Sequence, residues 1–214
     1  MRMANAIDSL PDAAPAMRDS HGRRIDYLRI SVTDRCDLRC RYCMSETMQF
    51  LPRREILTLE EIAVIAERFI ARGVRRIRLS GGEPLVRRDF GDLARALGRH
   101  VKAGRLDELT LTTNGTQLAT YADMLFDAGI RRINVSLDAL DPDIFAHVTR
   151  GGDIAKVLGG LEAARQAGLK VKLNTVALRD TNEGQMLPLL DYCAQQGFDL
   201  TLIETMPLGE VAED

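Results

Sequence analysis

Five times along the chain, apolar residues spaced as on one face of a helix run up to a glycine, and a short alternating stretch follows. The five stretches are RGVRRIRLS, AGRLDELTLTT, AGIRRINVSLD, AGLKVKLNTV and QGFDLTLIETM. Gly73, Gly104, Gly129, Gly168 and Gly197 sit where helices end in a left-handed residue. Helical patterns lie between them; Thr58 and Glu61 form a capping box ahead of Ile62, Ile65, Phe69 and Ile70 on one face. A first strand over Tyr27 to Thr33 brings the total to six strands alternating with helices. Such an alternation implies an α/β fold with a parallel sheet and right-handed crossovers. Residues 1–24, with Pro11, Pro15 and Gly22, are expected to be a flexible tail, and residues 25–214 a single core domain.

Buried parallel strands are usually apolar on both faces, and these are not. Arg29, Ser31 and Thr33 share one parity in the first strand, Arg78 and Ser80 in the second. Thr110, Thr112 and Asn114 follow in the third, Asn134, Ser136 and Asp138 in the fourth, and Lys170, Lys172 and Asn174 in the fifth. Glu204 and Met206 are assigned the same polar face in the sixth. The pattern predicts a curved sheet with helices outside and a polar lumen, an open partial TIM barrel of the (βα)6 type. A flat doubly wound sheet is the alternative. The unusual loops all follow strands, on the rim where such barrels carry their chemistry.

Composition adds limits rather than detail. The chain has 214 residues, 45% hydrophobic and 28% charged, with a formal net charge of -2; that suits a globular domain and gives no basis for a nucleic-acid partner. No apolar run nears the roughly 20 residues that span a bilayer, and the N-terminus lacks an apolar signal region. A cytoplasmic protein without a membrane partner is expected. In a reducing compartment, clustered cysteines are metal ligands or redox groups before they are disulfides.

Three of the four cysteines crowd into CDLRCRYC, Cys36, Cys40 and Cys43, directly after the first strand. Three ligands on one loop, with no fourth cysteine or histidine nearby, fall short of a closed zinc site. They suit an iron-sulfur cubane with one iron left open. Zinc and a chance cluster remain alternatives on spacing alone. Cys193 falls on an apolar helical stripe with Met186, Leu189 and Leu190 and is expected in the core.

With tyrosine before its third cysteine, C-x3-C-x2-C resembles the radical S-adenosylmethionine (SAM) superfamily, and SGGEP, Ser80 to Pro84, resembles that family's GGE motif. The glycines are expected to let backbone approach a ligand, and Glu83 to face an ammonium. The runs DYLRISVTDRCDLRCRYCM, IRLSGGEPLVRRD, LTTNG, RRINVSLDAL and IETMPLG resemble, in order, the GTP 3',8-cyclases of molybdenum cofactor biosynthesis. That resemblance implies a [4Fe-4S] cluster on Cys36, Cys40 and Cys43, with SAM contacts at Tyr42, Gly81, Gly82, Glu83, Ser136 and Met206. It implies GTP contacts at Arg29, Arg78, Thr112 and Lys172. The implied reaction removes hydrogen from C3' of GTP with a 5'-deoxyadenosyl radical and joins C3' to C8 of guanine, giving 3',8-cyclo-7,8-dihydroguanosine 5'-triphosphate. Another radical SAM enzyme, acting on a peptide or a tetrapyrrole, is the alternative.

The family also implies a flavodoxin or ferredoxin as electron donor, a possible homodimer, and pyranopterin monophosphate synthase downstream. It carries a second [4Fe-4S] cluster in a C-terminal segment, so the sequence is expected to be truncated after the sixth strand. Residue chemistry supports the GTP contacts separately, because Arg29, Arg78 and Lys172 have inward parity on three strands. Such charges need water, an anion or a lumen carboxylate such as Glu204 or Asp138. Arg75, Arg76, Arg87, Arg88, Arg131 and Arg132 are expected on the solvated surface.

Overall fold

The strands form because each carries one apolar edge for the helices to cover. In the computed structural model, which describes residues 16–45 and 47–205, these are β1 (Tyr27–Ser31), β2 (Arg76–Ser80), β3 (Glu108–Thr113), β4 (Arg132–Ser136), β5 (Lys170–Ala177) and β6 (Asp199–Glu204). Between them run α1 (Leu59–Ala71), α2 (Phe90–Lys102), α3 (Leu118–Asp127), α4 (Pro142–Thr149), α5 (Ile154–Gln166) and α6 (Met186–Gln196). All strands are parallel and paired in sequence order, β1 to β6. The order never reverses, as a doubly wound sheet would require. Nor does β1 pair with β6, so the barrel is open.

Between sheet and helices lies the core. Ile77, Leu79, Leu109, Leu111, Ile133, Val135, Val171 and Leu173 are all buried on the helix side, each worth about 1.5–3 kcal/mol of transfer free energy. The α1 capping box is present, with Thr58 Oγ1 accepting from Glu61 N at 3.1 Å and the Glu61 carboxylate accepting from Thr58 N at 2.7 Å. The five glycines that close helices all have positive φ, between 69° and 98°. Two helical stripes are phased differently from expectation. Ile62, Ala66 and Ile70 are buried in α1 while Ile65 is exposed, and Leu189 and Cys193 are buried in α6 while Leu190 is exposed.

Two assignments change with the tertiary structure. Residues 16–24 fold into a tight hairpin: Arg18 bridges Arg24, and Asp19 Oδ1 accepts from the backbone of His21 and Arg23 at 2.9 Å. Met17 N donates to Arg72 O at 3.3 Å, fastening the hairpin beside the end of α1. The expected flexible tail does not extend to residue 24; residues 1–15 lie outside the described residues. In β6, Lys172 pairs with Asp199, Asn174 with Thr201 and Ala177 with Glu204. Asp199 and Thr201 therefore continue the lumen row, and Glu204 lies on the outer face with Leu200 and Leu202. Met206 lies outside the described residues.

Candidate active site on the strand C-terminal rim

Register stacks the polar faces into rows. Arg29 pairs with Arg78, Arg78 with Thr110, Thr110 with Arg132, and Arg132 with Lys170. One row nearer the rim, Thr112 pairs with Asn134 and Asn134 with Lys172. Arg76 and Arg132 share the lumen parity; Arg76 is exposed as expected and Arg132 is half-buried, contrary to expectation, and each is neutralised. Arg76 Nη2 lies 2.9 Å from Asp26 Oδ1, and Arg132 Nη2 lies 3.0 Å from Glu108 Oε1. Arg87 is likewise no free surface charge, since its guanidinium donates to the carbonyls of Val32 and Leu57.

None of Arg29, Arg78 and Lys172 has a carboxylate partner among the described residues. Arg29 Nη2 donates to Ser80 Oγ at 2.9 Å. Arg78 stands 5.7 Å from the centroid of the Tyr27 ring and leaves a buried Nε without a partner. Asn134, between Thr112 and Lys172, is buried with an unpartnered Oδ1. A row of donors and acceptors left open inside a barrel is a binding surface for something polar.

Above these rows the cysteine loop crosses the rim, and several neighbouring segments hold it. The GGE loop lies against it so closely that a Cβ on Gly81 would come 2.4 Å from Thr33 O, and one on Gly82 2.3 Å from Arg35 O. Gly82 N donates to Thr33 O at 2.7 Å and Glu83 N to Arg35 O at 2.8 Å. These glycines thus serve an approach between two loops of the chain. Glu83 is fully buried; its carboxylate accepts from Leu85 N (3.0 Å), Thr113 Oγ1 (2.8 Å) and Asn114 N (2.5 Å). Burial pushes its pKa up to about 7, against the pull of those three donors.

On the far side, Tyr42 Oη donates to Asp138 Oδ2 at 2.7 Å, and Asp138 Oδ1 accepts from Val176 N at 2.8 Å. Burial raises the pKa of both groups. The end of α4 adds a third grip, with Arg150 Nη1 donating to Arg39 O (3.0 Å) and Met44 O (2.9 Å). Ser136 ends β4 in register with Asn174 on the lumen side.

The superfamily model for radical SAM proteins matches residues 30–193, from β1 into α6. The chain belongs to the radical SAM superfamily. GTP 3',8-cyclases of Sinorhizobium medicae (strain WSM419) and Erythrobacter litoralis (strain HTCC2594) are similar to it at 58% identity over 206 residues and 60% over 202. The matches cover 96% and 94% of this chain but 59% and 60% of those proteins. Among solved structures, Streptococcus suis SuiB bound to S-adenosylmethionine has a TM-score of 0.73 at 19% identity, covering 88% of this chain and 42% of that one. The structure of anSMEcpe with bound AdoMet has a TM-score of 0.68 at 20% identity, covering 84% and 49%. At such identities the likeness is one of fold.

A radical SAM barrel calls for a [4Fe-4S] cluster and SAM, and the donor set fits. Cys36, Cys40 and Cys43 are free thiols on one loop, close enough for Cys40 to feel the charges of the other two. Burial raises all three thiols; Cys40 is pushed up to about 12, with the negative charge of Asp138 adding to the effect. A bound cation reverses that balance and holds thiolates. No group of three such side chains among the described residues is drawn to metal-holding distance, so the fit lies in donor chemistry and a shared loop rather than in a finished cage.

The structure unites Cys36, Cys40, Cys43, Tyr42, Gly81, Gly82 and Glu83 in one set of touching loops, with Ser136 at the rim end of β4 and Arg29, Arg78, Thr112 and Lys172 on the lumen face below. Sequence reading gave no role to Asp37, Asn114, Thr116, Arg150 or Asn182. Only LTTNG and the polar parity of Asn114 hinted at any of them. Asn182 is buried and donates to Asp138 O and Val176 O at 2.8 Å, joining the loops after β4 and β5.

Proposed function

We propose that this barrel binds SAM and GTP and belongs to a GTP 3',8-cyclase, which forms 3',8-cyclo-7,8-dihydroguanosine 5'-triphosphate in molybdenum cofactor biosynthesis. One observation carries the reading: of the arginines and lysines on the lumen face, Arg29, Arg78 and Lys172 are the three that resemble GTP contacts, and none has a carboxylate partner among the described residues. A triphosphate supplies the missing charge, each charge-assisted hydrogen bond being worth about 1.5–3 kcal/mol. Asp199, in register with Lys172 on the lumen face, forms no ion pair with it, and the other acidic candidates are committed or turned away. Asp138 is held by Tyr42 and Val176, and Glu204 lies on the outer face.

Cys36, Cys40 and Cys43 hold the cluster in this reading, and cluster and SAM together supply a 5'-deoxyadenosyl radical. The chain's own residues do the positioning. Tyr42 and Ser136 flank SAM at the rim, with Gly81, Gly82 and Glu83 forming the adjoining edge and Met206 a further contact. Arg29, Arg78, Thr112 and Lys172 fix the triphosphate and ribose below, so that C3' faces the rim; a misplacement of about 1 Å would cost roughly a hundredfold in rate. The relatives' further length would carry the second [4Fe-4S] cluster. A cytoplasmic flavodoxin or ferredoxin would supply electrons, pyranopterin monophosphate synthase would take the product, and a homodimer is the proposed assembly.

The test is a GTP titration of the anaerobically reconstituted chain. Arg78→Ala should weaken binding about tenfold or more, while SAM binding stays unchanged. Arg165→Ala, on the outside of α5 and paired with Glu162 at 2.7 Å, should change neither. No GTP binding by the parent chain, or equal losses from the two substitutions, would overturn the reading.

A further inference from the structure

The grip on the cysteine loop is uneven from one sulfur to the next. Cys36 Sγ accepts from Leu38 N at 3.4 Å and from the Asn114 carboxamide, whose Nδ2 stands 3.7 Å away. The same Nδ2 donates to Asp37 Oδ1 at 2.7 Å, and Thr116 Oγ1 donates to Asp37 Oδ2 at 2.6 Å. Asn114 is itself fixed from two sides. Its backbone N–H is held by buried Glu83 at 2.5 Å, and its Oδ1 accepts from Thr116 N at 3.0 Å. Its backbone N–H and its side-chain oxygen are both committed to holding the amide where it is.

We propose that Asn114 is a positioning residue for the cluster: its carboxamide donates an N–H to the Cys36 sulfur, seats that ligand from the end of β3, and makes the cluster easier to reduce. The physical basis is charge. Reduction adds an electron that the cluster shares with its thiolates, and an N–H directed at a sulfur stabilises the more negative, reduced form. A rigid donor needs no reorganisation when the electron arrives. The GGE motif acquires a second task from this geometry, since Glu83 fixes the residue that touches the sulfur.

The inference rests on Cys36 being a cluster ligand, and the test separates the two. The chain is reconstituted anaerobically with iron and sulfide, its iron content is measured, and the cluster is titrated with reductant while its electron paramagnetic resonance signal is followed. Asn114→Leu removes the donor without adding charge; Asn114→Asp removes it and keeps the acceptor for Thr116. Thr116→Val removes a staple to Asp37 but no donor to sulfur. Both Asn114 variants should lower the reduction potential, Asn114→Leu by about a tenfold change in the oxidised-to-reduced ratio at fixed solution potential, or about 59 mV for one electron. Thr116→Val should keep the parent potential.

If the Asn114 variants take up no iron while Thr116→Val loads fully and all three melt together, the seating role stands. Parent potentials in the loaded Asn114 variants, an equal shift in Thr116→Val, or iron loss in Thr116→Val as well would each overturn it. Failure of the parent chain to bind iron would instead refute the cluster assignment.

Discussion

At the scale of single residues, the cysteines divide by environment. Cys36, Cys40 and Cys43 lie on the rim loop, whereas Cys193 is 2% exposed between α6 and the sheet. Alanine at any of the first three should abolish iron uptake after anaerobic reconstitution. Cys193→Ala should retain the iron and cost about 1 kcal/mol of stability; iron loss in that variant would refute the division. Glu83 gives a pH dependence. Its pKa rises from 4.5 to about 7 on folding, so the folded chain keeps a proton that the unfolded chain releases. Its contribution is therefore fully present below about pH 4.5 and is lost as pH rises through about 7, some 3 kcal/mol in all. Metal-free protein should melt at falling temperature across that window, and Glu83→Gln should flatten part of the slope. Asp138, shifted in the same direction by burial, accounts for the part that stays.

At the scale of elements, two adjacent glycines in α5 face opposite conditions. A Cβ on Gly159 would meet nothing within 4 Å, while one on Gly160 would stand 2.6 Å from Gly115 O, at the loop leading into α3. Gly159→Ala should stabilise the helix by about 0.5–1 kcal/mol, through reduced backbone entropy in the unfolded chain. Gly160→Ala should cost about 1–3 kcal/mol, because α5 must move off the Gly115 loop to make room. Thermal melts of the two variants should shift in opposite directions. A matching pair of shifts would mean that this approach of loop to helix is not rigid. Gly115 directly follows Asn114, so the Gly160 variant should also disturb the cluster loop, and Gly159→Ala should not.

For the whole molecule, iron content is the direct measure. The chain has four cysteines, three of them on one loop, and should load at most one cluster, about four irons per polypeptide. Iron analysis near eight per chain would require ligands other than cysteine. Much of the fold was legible beforehand, because six alternating strands and five closing glycines fix both the order of elements and the polarity of the lumen. Phase and register were less legible. In β6, Leu202 and Ile203 are adjacent and apolar, so alternation does not reveal which parity faces inward, and Glu204 was put on the wrong face. At the start of β4, Arg132 reads as a flanking charge because its neutralising partner, Glu108, lies 24 residues away on β3.

Local sequence by itself determined the periodicity of each element, the caps, and the cysteine spacing with its three-ligand chemistry, because these depend on residues within one or two turns of chain. Tertiary structure alone decided which lumen cations stay unpaired and which residues grip the cysteine loop. Arg29, Arg78, Arg76 and Arg132 are alike in sequence, and only the placement of Asp26 and Glu108 beside the latter two makes them different. The Asn114 amide reaches Cys36 across 78 positions, and Tyr42 reaches Asp138 across 96. A hydrogen bond depends on separation in space to within tenths of an ångström, a quantity that spacing along the chain does not carry.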